Sequence, residues 1–362
     1  SVYGGGNQGA VLGLIESIIE SSKITGNVYG GGNQAPIGQS GNTNIALSLT
    51  LSNTQANNVF GGGNAASING NTILNINYQS IITNSVYGGG NLGEIIGKST
   101  TTISDSTITE NVYGAGNKAS VGISETTDAT ELNIDNVTAK NIYGGGNQAS
   151  VPKTTVLIKT GNIQNIYGGG NQASVNNNTK VEIFGGNISN NIYGGGNEGT
   201  VIGNTDVNIK NATILGSAYA GGNGATAVVY GNANIIVQGN TIIGTEGDNV
   251  IAQRGSVFGG GNAAATGDTG TNNSTSTVNI VGGTIYSNVY GGANTSVVYG
   301  YTNVKIGFDA VGDNTLEQGN IYVRGTVFGG GEANAAGSEE YDYSFISVTK
   351  GIDMLIDGNG YT

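Results

Sequence analysis

The 362-residue sequence contains no cysteine, no histidine and no tryptophan, and only two prolines. Without cysteine the chain has no disulfide and no thiol nucleophile, so its cysteine content says nothing about the redox compartment. Without histidine it has no imidazole for acid–base chemistry and no histidine ligand for zinc. The missing residue types therefore exclude the standard catalytic triads and the common zinc sites.

Charged residues are also scarce, at 10% of the chain, and the 24 acidic residues outnumber the 12 basic ones. The net charge of −12 and the absence of a basic patch argue against nucleic acid or an anionic membrane surface as a partner. No run of about 18 apolar residues occurs, so no membrane span is expected. The low proline count, with clustered glycines, excludes collagen and polyproline structures.

Glycine is abundant, with 67 residues, and much of it lies in a phrase that occurs twelve times. The phrase reads small or polar residue–Val/Ile–Tyr/Phe–Gly–Gly–Gly–Asn, and its aromatic residues are 24 to 39 positions apart. These aromatic residues are Tyr3, Tyr29, Phe60, Tyr87, Tyr113, Tyr143, Tyr167, Tyr193, Tyr219, Phe258, Tyr290 and Phe328. A strict repeat of this length indicates a solenoid, in which each unit contacts its neighbours. We therefore predict a single β-solenoid domain over residues 1–362.

Each repeat also contains short stretches in which apolar and polar residues alternate, as Val181 and Ile183 do. This alternation is typical of half-buried strands. A turn follows, then one inward apolar residue such as Ile188, and then the strand that carries the aromatic residue. The pattern predicts an all-β parallel β-helix of about twelve coils with three short strands in each coil. We expect the glycine triplets to supply positive φ angles at sharp turns and to let neighbouring coils approach closely.

Stacked coils would place identical residue types in ladders. We expect the aromatic rings to stack in register and the asparagine after each triplet to donate to the next coil. The ladder residues that we single out are Tyr29, Tyr87, Tyr143, Tyr167, Tyr193, Asn33, Asn91, Asn147, Asn171 and Asn197. The ring ladder is interpreted either as structural stacking or as a sugar-binding platform. The uniformity of the phrase favours the structural interpretation.

The repeat is interrupted by insertions near residues 244–255, 266–276 and 308–319. The only two arginines, Arg254 and Arg324, each lie four residues before an aromatic residue in these coils, and Tyr286 holds the equivalent position between them. An Arg254–Tyr286–Arg324 column on adjacent coils would form a cation–π set and a ligand site for an acidic or neutral glycan. Alternatively, each arginine fixes its own loop through carboxylates. The nearby loop acids are Glu246, Asp248, Asp309, Asp313 and Glu317.

We expect no catalytic residue, no metal site and no cofactor. The glycine phrase lacks the strand–GxGxxG–helix context and the Lys–Ser/Thr pair of nucleotide loops. Aspartates do not recur in phase as a calcium-binding nonapeptide repeat requires. The remaining acids, such as Asp105, Asp128, Glu131 and Asp135, show no recurring pair of the kind that glycosidases use.

The repeat unit Thr–x–Val–x–Ile–x–Gly–Gly–x–Ile–x–x–Asn–Val/Ile–Tyr–Gly–Gly–Gly–Asn resembles the right-handed β-helix repeats of large bacterial surface and adhesin-like proteins, within the pectate-lyase-like superfamily. The resemblance covers the whole chain. It implies a right-handed β-helix that is secreted or displayed at the cell surface, often as a stalk or adhesin segment. Because that superfamily also contains polysaccharide lyases and hydrolases, a polysaccharide-active enzyme is a weaker alternative.

Three functions follow from these expectations. The chain is a structural or adhesive extracellular segment of a stalk or self-assembling filament, a segment that binds cell-surface glycans, or an enzyme. Its partners would be other copies of itself, joined end to end, or glycans. The sequence begins inside the repeat phrase and ends without an obvious polar cap, so we expect a piece of a longer protein or a subunit with open ends.

Overall fold

The fold, taken from a computed structural model, is all-β: a parallel β-solenoid of about 11 turns, with 46% strand and 1% helix. The structure describes residues 1–123, 130–247, 254–268, 273–313, 315–332, 343–349 and 354–356. The predicted fold class is confirmed. The number of turns is about one lower than the twelve expected, because twelve aromatic phrases enclose eleven intervals.

The strands are short, and the longer ones coincide with the segments in which apolar and polar residues alternate. In the first part of the chain they are β1 (Val2–Tyr3), β2 (Ile15–Glu20), β3 (Val28–Tyr29), β4 (Ile45–Ser52), β5 (Gln55–Ala56), β6 (Val59–Phe60), β7 (Asn71–Asn77), β8 (Ile81–Ile82), β9 (Val86–Tyr87), β10 (Ser99–Ile108), β11 (Asn111–Tyr113), β12 (Thr130–Tyr143) and β13 (Thr154–Tyr167). They continue with β14 (Thr179–Ile183), β15 (Asn187–Ile188), β16 (Ile192–Tyr193), β17 (Thr205–Lys210), β18 (Thr213–Ile214), β19 (Ala218–Tyr219), β20 (Ala233–Gln238), β21 (Ile242–Ile243), β22 (Val257–Phe258), β23 (Ser274–Ile280), β24 (Gly283–Ile285), β25 (Val289–Tyr290), β26 (Gly300–Ile306), the helix α1 (Phe308–Val311), β27 (Ile321–Val323), β28 (Val327–Phe328), β29 (Tyr343–Val348) and β30 (Met354–Ile356).

One turn of the solenoid shows how these strands are used. It consists of the longer strand β17, the two-residue strand β18 and the aromatic strand β19. After the glycine phrase, Val229 forms an isolated parallel bridge with Val201 of the preceding turn. This turn thus has the three strands that the sequence predicts, and a fourth side held by the single bridge of Val229.

The core is a set of in-register aliphatic columns. Val181 pairs with Val207, and Val207 pairs with Ile235, while Ile183 pairs with Ile209 in the same strands. All five side chains are at most 2% exposed. Burial of each such side chain is worth about 1.5–3 kcal/mol, so a narrow core repeated at every turn supplies the stability that a chain poor in apolar residues needs.

The chain divides into two compact units. The first unit consists of Ser1–Ile163 and Gly168–Asn178, and the second of Gln164–Tyr167 and Thr179–Thr362. In the part of the chain that the structure describes, no helix has the length and apolar character needed to cross a membrane.

The glycine triplets are required for close approach rather than for turning. A Cβ atom on Gly61 would lie 2.2 Å from the carbonyl oxygen of Gly88 in the next turn, and one on Gly194 would lie 2.1 Å from that of Ala220. Among the described residues, no triplet glycine has a positive φ. The expectation of positive φ was therefore wrong, whereas the expected close approach of neighbouring turns is observed. Positive φ occurs instead at the corner residues, for example Gly186 and Asn211.

Candidate functional site

The aromatic residues of the repeat form a continuous ring stack within each unit. In the first unit the ring centroids are 4.7–4.9 Å apart and the ring planes lie within 8° of parallel, from Tyr3 through Tyr29, Phe60, Tyr87 and Tyr113 to Tyr143. In the second unit the distances are 4.7–5.0 Å and the angles at most 9°, from Tyr167 through Tyr193, Tyr219, Phe258 and Tyr290 to Phe328. Both faces of an inner ring are thus covered by other rings. A sugar cannot stack on such a ring without displacing a neighbour.

Burial of the stack also affects the phenol groups. Tyr29, Tyr143, Tyr167 and Tyr193 are all at most 6% exposed, and Tyr87 is half-buried. An asparagine two residues earlier donates to the phenol oxygen, as Asn191 Nδ2 does to Tyr193 Oη at 3.0 Å. Burial raises the pKa of Tyr193 and of Tyr167 above the ordinary value of a tyrosine, since the phenolate would lose its hydration. The rings are therefore held neutral and in place.

The asparagine that follows each triplet forms a second ladder. In the first unit, Nδ2 of each asparagine donates to Oδ1 of the asparagine one turn earlier at 2.7–2.9 Å. This series runs through Asn7, Asn33, Asn64, Asn91, Asn117, Asn147 and Asn171. In the second unit the same bond, at 2.8–2.9 Å, connects Asn197, Asn223, Asn262 and Asn294. Along the ladder each Oδ1 that accepts from the next turn is engaged rather than presented to a ligand, whereas Oδ1 of Asn294, the last asparagine in the series, is buried without a partner among the described residues.

Hydroxyl groups form a third ladder, which the sequence pattern does not predict. The first inward residue of the long strand is often Thr or Ser, and its hydroxyl donates across the interior to a carbonyl of the glycine phrase. Thr130 Oγ1 bonds Gly144 O and Thr154 Oγ1 bonds Gly168 O, both at 2.6 Å. In the second unit the same 2.6 Å bond is made by Thr179, Thr205, Ser276 and Thr302. The only sign of this ladder in the sequence is the threonine that begins the repeat unit. Because that threonine alternates with valine and isoleucine as any strand residue does, the sequence does not indicate that its hydroxyl has a partner.

The three residues of the predicted column have different surroundings. Arg254 is exposed, whereas Tyr286 and Arg324 are half-buried. The guanidinium carbon of Arg324 lies 5.4 Å from the ring centroid of Tyr322, two residues earlier in its own coil. This cation–π contact fixes Arg324 locally. Within the described part of the chain, none of the ion pairs joins either arginine to a carboxylate.

The acids of the insertions are engaged in other contacts. Glu317 forms an ion pair with Lys210 at 2.5 Å and accepts from Asn211 Nδ2 at 3.1 Å, and these contacts lower the pKa of its carboxyl. Asp313 accepts from both the backbone and the hydroxyl of Thr315, which lowers its pKa. Glu246 is exposed. Asp248 and the side chain of Asp309 lie outside the described residues, as do parts of the 244–255 and 266–276 insertions.

The 308–319 insertion folds back over earlier turns of the second unit. Glu317 also makes two contacts through its backbone. The N–H of Glu317 donates to Gln238 Oε1 at 2.7 Å, and the carbonyl of Glu317 accepts from Gly239 N at 2.9 Å. Gly319 N also donates to Val281 O at 3.1 Å. The insertion thus covers one corner of the turns that contain β17, β20 and β23. The break in the repeat reveals the insertion, but nothing in the sequence predicts which turns it covers.

Among the described residues, no group of three or more acidic side chains is placed to hold a metal ion. Comparisons with protein-family models, with curated proteins and with solved structures find no match to this chain.

Proposed function

We propose that this β-solenoid is a structural, non-catalytic segment of an extracellular stalk or self-assembling filament. The observation that carries the proposal is the ring stack and the amide ladder, which recur from turn to turn, together with the hydroxyl contact that several turns add to them. A binding site at one turn requires residues that differ from their equivalents in other turns. A segment with a structural role instead requires equivalent residues to be alike in every turn, so that all turns stack in the same way. The resemblance to surface and adhesin-like repeats supports a location at the cell surface.

The ends of the ring stacks support assembly through further turns. Tyr3 is 37% exposed and Phe328 is 41% exposed, whereas the inner rings Tyr29 and Tyr219 are at most 5% exposed. The strands β1 and β2 pair with β3 and β4, and the other edge of each can pair in the same way with a strand of a further turn. A head-to-tail contact whose rotation does not close into a ring produces an open filament.

Electron microscopy of the purified chain at low and at high concentration tests filament formation. Fibres that lengthen with concentration support the filament, and discrete particles at every concentration contradict it. The variant Tyr3→Asp places a charge on the exposed end of the ring stack and should shorten the fibres. Leu92→Asp, at a side chain that is 55% exposed within the first unit, is the matched control and should leave them unchanged. Antibody labelling of intact producing cells tests the surface location.

A second candidate function is the binding of an acidic glycan at Arg254, Tyr286 and Arg324. It is favoured because the described loop acids Glu317 and Asp313 are paired with Lys210 and Thr315 and do not neutralise the arginines. A glycan array with polygalacturonate and sulfated oligosaccharides provides the test. The double variant Arg254→Ala/Arg324→Ala should lose binding, while Lys23→Ala/Lys118→Ala, which changes the net charge equally at exposed lysines, should retain it.

A further inference from the structure

One corner of the first unit contains a residue that its neighbours lack. Strand pairing aligns Ser52 with Asn77 and Gln55 with Ile81. The two residues between Ser52 and Gln55 therefore lie opposite the three residues between Asn77 and Ile81. On the other side, pairing of Ile103 with Ile76 and of Thr107 with Ile81 shows the same single-residue excess. The extra residue lies in the segment Tyr78–Ser80. This corner is therefore one residue longer than the equivalent corners of the turns on either side.

The backbone at this corner is in a costly conformation. Tyr78 and Gln79 have φ angles of 50° and 61°, so two consecutive residues that are not glycine are left-handed. The neighbouring turns pass the same corner with a single left-handed residue, namely Asn53 (φ 47°) or Asp105 (φ 45°). Asparagine and aspartate tolerate this region, whereas a tyrosine there is unusual. Such strain persists only where the surrounding structure imposes it, and it concentrates at functional positions.

The tyrosine does not use its ring for packing. Tyr78 is 70% exposed, whereas the tyrosines of the ring stack are mostly buried. Its ring borders an open depression of about 520 Å³ that is lined by Asn53, Tyr78, Gln79, Asp105 and Asn136.

The depression is organised by hydrogen bonds between turns. Asn136 Nδ2 donates to Asp105 Oδ1 at 2.8 Å, which fixes the carboxylate and leaves its other oxygen outside that bond. The backbone N–H of Gln79 donates to the carbonyl of Asp105 at 2.7 Å, and this bond connects the longer corner to the next turn. The lining residues come from four successive turns, and these two bonds hold the last three of those turns together at the depression.

The chemistry of the lining selects a class of ligand. Three amides and one carboxylate surround an exposed aromatic ring, and no basic side chain lines the depression. The ring offers an apolar face to C–H groups, while amides and carboxylate bond adjacent hydroxyls as both donors and acceptors. The carboxylate of Asp105 disfavours an anionic ligand.

We propose that this corner is a binding site for a neutral pyranose sugar, which stacks on the Tyr78 ring and bonds its hydroxyls to Asp105 and the adjoining amides. The site belongs to the first unit alone, so it is independent of filament formation and of the Arg254–Tyr286–Arg324 column. Its ligand is a neutral sugar, whereas the ligand considered for that column is an acidic glycan.

Saturation-transfer NMR and calorimetry with neutral tetrasaccharides of glucose, mannose and xylose test the proposal on the full chain. At least one should bind, with its C–H protons saturated from the protein. The variant Tyr78→Ala should weaken that binding about tenfold or more, whereas Tyr78→Phe, which keeps the ring, should retain it. Asp105→Ala should also weaken it.

Tyr230→Ala is the matched control, because Tyr230 is a 42% exposed tyrosine in the second unit. Circular dichroism of each variant verifies that the β-solenoid is intact. Absence of binding for every neutral tetrasaccharide would overturn the proposal. Equal losses in Tyr78→Ala and Tyr230→Ala would also overturn it, as would tighter binding of tetragalacturonate than of any neutral sugar.

Discussion

At the scale of single residues, the three ladders differ in how readily the sequence reveals them. The ring and amide ladders could be predicted because tyrosine and asparagine recur at fixed positions beside a glycine triplet. The hydroxyl ladder could not, because Thr205 alternates with valine and isoleucine in the same way as any half-buried strand residue. Its function depends on the distance across the interior to Ala220 O, and only the folded turn brings these two groups together.

The hydroxyl ladder leads to a stability prediction. Thr205→Val keeps the branched shape but removes the donor to the buried carbonyl of Ala220. A buried polar group that loses its partner costs about 1–3 kcal/mol, so we expect the free energy of unfolding to fall by this amount. Urea denaturation followed by circular dichroism measures it. Thr107→Val, at an exposed threonine of β10, is the control and should change little. Equal stability of the two variants would contradict a role for the hydroxyl.

The left-handed conformation of Tyr78 leads to a second prediction. Tyr78→Gly relieves the clash of the Cβ atom, whereas Tyr78→Ala retains it, so we expect the glycine variant to be the more stable by about 1 kcal/mol. At Tyr301, an exposed residue within β26, the order should be reversed, because glycine weakens an ordinary strand. Thermal and urea denaturation of the four variants provide the comparison. The same order at both positions would show that the corner is not strained.

At the scale of elements, strand identity follows from the sequence, but the position of the insertions does not. The alternation around Val181 and Ile183 predicts strand, register and burial together, because a parallel solenoid places equivalent residues above one another. The 308–319 insertion has no such internal pattern. Its position depends on the contacts of Glu317 with Asn211 and Gln238, which lie 106 and 79 residues earlier in the chain. Contacts between residues so far apart leave no periodic signal in a single sequence.

The contacts of Glu317 predict local anchoring of this insertion. Glu317→Ala removes the ion pair with Lys210 and the bond from Asn211, while the two backbone bonds to β20 and its following turn remain possible. We expect faster amide hydrogen exchange at residues 315–319 and at Gly239, with little change in global unfolding. Asp313→Ala removes only the bonds to Thr315 and should affect exchange at that residue alone. Unchanged exchange at Gly239 in Glu317→Ala would exclude this anchoring.

At the scale of the whole molecule, composition and fold together determine the response to pH. The chain has no histidine and no cysteine, so no side chain of those types gains or loses a proton near neutrality. In the ring stacks, burial raises the pKa of Tyr29, Tyr87, Tyr113, Tyr193 and Tyr219 above the ordinary value. Because the repeat is uniform, the pKa values of many tyrosines are shifted in the same direction.

The sign of the effect follows from proton linkage. In the unfolded chain these phenols release their protons near pH 10, whereas in the folded chain they keep them to higher pH. Above about pH 10 the unfolded state therefore binds fewer protons than the folded state, and stability falls as the pH rises. Below that pH the contribution of the phenols is constant. We expect stability to be nearly unchanged from about pH 6 to 9 and to decrease steeply in alkali.

A combined titration checks this expectation. Phenolate absorbance and circular dichroism should change together above pH 10, because the stacked tyrosines ionise only as the β-solenoid unfolds. Tyr219→Phe removes one buried phenol at a position where phenylalanine already fits equivalent sites, as Phe60 and Phe258 show, and should move alkaline unfolding to higher pH. Tyr230→Phe, outside the ring stack, should not. Ionisation of all 18 tyrosines along one curve near pH 10, with unchanged circular dichroism, would mean that the ring stacks are open to solvent.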